Sequence, residues 1–134
     1  MRSRREENAT VRSSGLLQNN QAVTIDAHID VVNQNLEEVV IRMQVLDWGN
    51  TVTQTNPVST LVDVTQVVPG NTRVTFNAAV PSANHYEIRL TVEDPGSENV
   101  QITTYGRTAL GGGVLNGYTV LNSQFSPLDI DICL

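Results

Sequence analysis

The chain has no lysine, a single cysteine, few aromatic residues and no long apolar run. Each shortage narrows what it can be. No stretch approaches the roughly 20 apolar residues of a membrane-spanning helix. The N-terminal arginines are not followed by the apolar core of a secretion signal, so no leader or anchor is visible. Cys133 has no partner within the chain, which leaves a free thiol or a bridge between chains. The plain alternative is a small buried hydrophobe. With two Phe, three Tyr and one Trp, a core must be built from Val, Ile, Leu and Ala, a bias that favours strands.

All eight basic residues are Arg, and they are unevenly placed. Arg2, Arg4, Arg5 and Arg12 stand near the start with Glu6 and Glu7, whereas the remainder carries four Arg against twelve acids. Nucleic-acid affinity comes chiefly from neutralising phosphates, so such a body repels that partner and only the N-terminal segment suits it.

The 134 residues fit one domain large enough to bury a core without a metal or disulfide staple. Residues 1–20 are polar apart from Val11, Leu16 and Leu17 and read as a flexible arm, with the folded domain over 21–134. From Ala22 the pattern alternates: Val23, Ile25, Ala27, Ile29 and Val31 against Thr24, Asp26, His28 and Asp30. A period of two marks a half-buried antiparallel strand. Similar runs cover 39–48, a looser 58–68, 74–80, 86–92, 100–104, 114–120 and 128–134. Asp94-Pro95-Gly96-Ser97 reads as a hairpin turn. About eight short strands without helical periodicity predict an all-β, two-sheet antiparallel sandwich, jelly-roll or immunoglobulin-like, with an N-terminal arm.

Catalytic chemistry is hard to place. His28 and His85 are the only histidines, no nucleophile-elbow motif occurs, and a thiolate one residue from the chain end lacks rigid support. Asp26, His28 and Asp30 share one strand face, but neighbours there stand roughly 6.6 Å apart, too far for one ion unaided. Asp129 and Asp131 meet the same objection. Gly111-Gly112-Gly113 lacks the Lys of a phosphate loop. No cofactor, metal or enzymatic activity is therefore expected. Trp48, Tyr86, Tyr105 and Tyr118 are the platforms available to a sugar ring, which makes a carbohydrate-binding module the alternative.

The segments AVTIDAHIDVVN (22–33), YEIRLTV (86–92) and Tyr105-Gly106-Arg107-Thr108 before the glycines resemble small self-assembling surface proteins of endospore-forming bacteria, particularly endospore appendage and coat subunits. That resemblance implies a subunit of a surface filament or coat, located outside the cell or on the spore, whose N-terminal arm docks on neighbouring copies. Val11, Leu16 and Leu17 would be its apolar anchors and Cys133 a bridging residue. Subunits of that kind carry cysteines in the arm, and this arm has none. A phage or viral coat or decoration protein would share the same plan.

Overall fold

A computed structural model describes residues 9–130, which are all-β apart from two short 3₁₀ turns. The strands are β1 (Ala9–Gln18), β2 (Ile25–Asn33), β3 (Val39–Gly49), β4 (Ser59–Val68), β5 (Thr72–Val80), β6 (His85–Glu93), β7 (Val100–Arg107) and β8 (Ser126–Leu128). They form two antiparallel sheets, one of five strands in the order β4-β3-β6-β1-β8 and one of three in the order β5-β2-β7. The alternating residues face one another between the sheets: Ile25, Ala27, Ile29 and Val31 of β2 meet Ile41, Met43 and Val45 of β3 and Tyr86, Ile88 and Leu90 of β6 in one buried cluster. Among the described residues no helix is long and apolar enough to cross a membrane.

The pairings β2–β5 and β3–β6 match the B–E and C–F pairs of immunoglobulin sandwiches. The flanks differ, since β1 lies beside β6 and β7 beside β2. Among the described strands only β3 and β4 are consecutive within one sheet, so every other connection crosses between sheets. The Asp94–Ser97 segment is accordingly an arch from β6 to β7 and not a hairpin, because turn residues fix a reversal without fixing which sheet receives the next strand.

Three boundaries differ from expectation. Much of the segment read as a flexible arm is β1, inserted between β6 and β8 of its own sheet. Its alternation is hidden because Thr10 and Arg12 lie on the side of Val92 and Leu90, where Arg12 donates to the Val100 carbonyl at 2.7 Å and to Asn122 Oδ1 at 3.0 Å. A bulge between Ser13 and Leu16 then inverts the pattern. Gly15 takes a left-handed backbone there (φ 74°), and the Ser14 hydroxyl accepts the Ile88 N–H at 2.9 Å.

Residues 114–120 form no strand but touch β7 through two isolated bridges, Arg107–Val114 and Thr104–Val120. Of the run expected over 128–134, residues 131–134 lie outside the described residues; the described strand is Ser126–Leu128, where Leu128 pairs with Val11 on the face turned away from the other sheet.

Candidate functional site

The outer face of the three-stranded sheet carries a polar ladder. Register places Asp26 beside Arg107, His28 between Asn77 and Tyr105, and Asp30 beside Thr75. Arg107 grips Asp26 Oδ2 through Nε (2.9 Å) and a terminal nitrogen (2.7 Å), and that nitrogen also donates to Asn77 Oδ1 at 2.8 Å. The His28 ring stands 3.1 Å from Asn77 Oδ1 and 3.0 Å from Asp30 Oδ2, and its centroid lies 4.8 Å from that of Tyr105. Asp30 Oδ1 takes the Thr75 hydroxyl at 2.8 Å and Arg73 at 3.0 Å. Burial alone would raise the Asp30 carboxyl, but hydrogen bonds from Thr75, Arg73 and His28, with the His28 charge, hold it below its ordinary value. Asp26, His28 and Asp30 are thus each tied to cross-strand partners. Among the described residues no group of three His, Cys, Asp or Glu is placed to hold a metal ion.

On the outer face of the five-stranded sheet, Glu87 is almost fully buried and is the acceptor of three donors. Ser13 Oγ donates at 2.6 Å, Trp48 Nε1 at 3.0 Å and Arg89 Nε at 3.0 Å. Burial would raise this carboxyl too, yet the Arg89, Ser13 and Trp48 hydrogen bonds outweigh it and leave it below the usual range. A carboxylate held ionised by these three donors braces β1, β3 and β6 together.

The residues named as arm anchors are therefore placed within their own domain. Val11 is buried beside Thr91 and Leu128, Leu17 packs against the core, and Leu16 is 61% exposed. Cys133 lies outside the described residues, as do Arg2, Arg4 and Arg5. Of the four aromatic platforms, Tyr86 and Tyr118 are buried. Trp48 and Tyr105 remain, but they serve opposite faces of the sandwich, through Glu87 on one and His28 on the other. They cannot grip one sugar chain together. Each Arg from Arg12 onward is bonded within the fold, Arg42 through a two-pronged pair with Asp63 at 2.8 and 2.7 Å. That use of arginine leaves little for phosphate.

Two open depressions of about 600 and 520 Å³ adjoin at one end of the sandwich and share Asp94 and Pro95. Glu37, Glu38 and Glu93 make the larger one acidic. Two of its acids serve the fold: Glu93 accepts the Val40 N–H at 2.8 Å, and Asp94 accepts the Thr10 hydroxyl at 3.1 Å.

The feature that sequence reasoning missed is an edge. β4 ends the five-stranded sheet and β5 ends the three-stranded sheet, on the same side of the molecule. β4 runs ten residues, Ser59–Val68, with its outer row of backbone N–H and C=O groups unpaired by any described strand. No protein-family model matches the chain, and no curated protein matches it.

Proposed function

We propose that this protein is a non-enzymatic structural subunit that assembles with copies of itself into a coat or filament. The open β4 edge carries the reading. Soluble sandwiches blunt such edges with Lys, Pro, inward charges or bulges. Here the chain has no Lys at all, and β4 holds no Pro and one bulge near its start, where Leu61 is the extra residue. Its single charge, Asp63, is neutralised by Arg42 of the neighbouring strand, whose hydrogen bond and charge outweigh the opposing effect of burial and hold the Asp63 carboxyl below its ordinary value. Val64 and Val67 remain exposed along it, and Val58 just before it.

Strand addition is the association such an edge favours, since backbone hydrogen bonds supply affinity and alternating side chains supply specificity. The binding role thus falls to an edge in the body of the domain, while β1 completes its own sheet. Sedimentation velocity of the purified chain over a wide concentration range, with electron microscopy of the most concentrated samples, tests the proposal. Concentration-dependent oligomers are expected; a monomer at every concentration contradicts it.

A further inference from the structure

We infer that the primary contact is a two-fold antiparallel pairing of β4 with β4 of a second copy, centred on Val64. This rests on the self-assembly reading above and specifies its surface.

The argument starts from the direction of the β4 side chains. Val64 lies opposite Met43, and Val62 opposite Val45, so both belong to the face turned toward the core. Met43 and Val45 are fully buried, yet Val64 is 37% exposed. The three-stranded sheet leaves it partly uncovered, and Val74 on that sheet's own edge strand β5 is likewise only half-buried. A core-directed valine is therefore left partly facing solvent beside a backbone row that no described strand pairs. A strand laid against β4 satisfies both deficits at once, pairing the free N–H and C=O groups and covering the valine.

A second copy of β4 is the occupant that the residues fit. In an antiparallel pair, opposite residues point to the same face. Centring on Val64 sets Val64 against the partner's Val64, Val62 against the partner's Gln66 and Asp63 against the partner's Thr65. No like charges meet, and the one acid faces a hydroxyl. β5 is the weaker candidate, since Arg73, Thr75 and Asn77 fill its outward face and are engaged in the polar ladder.

The contact is isologous, so it closes on itself and produces pairs. Extension beyond the pair would require a second surface.

Because residue 64 meets itself, the test is a charge complementation. Val64→Lys and Val64→Glu each place like charges opposite one another and are expected to weaken self-association at least roughly tenfold. An equimolar mixture should associate again, as a heterodimer read by sedimentation and native mass spectrometry. Circular dichroism and thermal melts establish that each variant is folded. A second measurement needs no charge: opposite residues stand about 4.5–5.5 Å apart at Cα, within disulfide range. V64C in a Cys133→Ser background should oxidise to a covalent dimer, and T75C in the same background should not. Wild-type-like association of Val64→Lys, or cross-linking through T75C in place of V64C, overturns the β4 contact while leaving self-assembly standing. A wild-type chain that stays monomeric overturns the self-assembly reading itself.

Discussion

The two long sides of the sandwich are finished in different ways. On one, β8 covers β1, and residues 114–125 lie along β7. Thr104 and Val120 exchange backbone hydrogen bonds at 3.1 and 3.0 Å, and Asn122 Oδ1 accepts from both Arg12 and the Ile102 N–H. Tyr118 is buried there, its side chain against Gly106, where an added Cβ would stand 2.9 Å from the Tyr118 Cβ and 3.0 Å from the ring, and its hydroxyl bonded to Asn20. On the other side, β4 and β5 end their sheets with nothing of the described chain beyond them. The difference teaches that irregular chain closes an edge as well as a strand does, provided it brings its own polar partners. Stability should therefore concentrate on the covered side, and association on the open one.

The largest effect should come from removing residues 1–18. If this segment were a loose arm, its loss would leave the domain intact. As β1 it separates β6 from β8 and supplies Ser13 to Glu87, so the truncated chain should lose its cooperative thermal transition. An unchanged melt would show that the strand is dispensable.

Next is Tyr118→Ala on the covered side. Truncating a buried aromatic costs about 3–5 kcal/mol, measured as a fall in the urea midpoint at constant slope. A loss below about 1 kcal/mol would mean that residues 114–125 cover the side without holding it.

Acid should act through the braces. Glu87, Asp30 and Asp63 all sit below their ordinary values, 4.5 for the glutamate and 3.8 for the aspartates. The stability they contribute is complete above those values and is lost as pH falls through the lower native ones. Glu87→Gln should cost about 1–3 kcal/mol at neutral pH and flatten the loss of stability below pH 4.5, seen in urea titrations at several pH values. Tyr86 acts in the opposite range. Burial, with Tyr118 nearby, raises its hydroxyl well above 10.0, so alkali should begin to destabilise the fold as pH climbs past that value.

The smallest effect on folding should be Val64→Lys on the open side. An exposed edge position away from buried networks changes stability by within about 0.5 kcal/mol, read in dilute solution where association is absent. A loss of several kcal/mol would place Val64 in the core proper.

How much was legible in the sequence follows from the same contrast. β2, β3 and β6 announce themselves because one face of each is fully buried, which forces strict alternation, and β5 follows through the buried Phe76, Ala78 and Val80. β1 does not, since Arg12 points inward to reach the Val100 carbonyl and the bulge at Ser14–Gly15 shifts Leu17 onto the face of Tyr86. Residues 114–120 alternate like a strand but meet β7 only at Val114 and Val120. β4 showed as a looser strand, and that looseness was the only trace of its edge position. Which strands border open space depends on sheet order, which local pattern does not carry. The candidate contact was therefore sought in Val11, Leu16 and Leu17, of which Val11 and Leu17 serve the chain's own domain.

The central claim, that the open side is where copies meet, is tested most directly by amide hydrogen exchange at low and high protein concentration. The account predicts that protection of β4 amides rises with concentration while those of β7 and β8 stay constant. Equal exchange of β4 at both concentrations, with oligomers present, would contradict it.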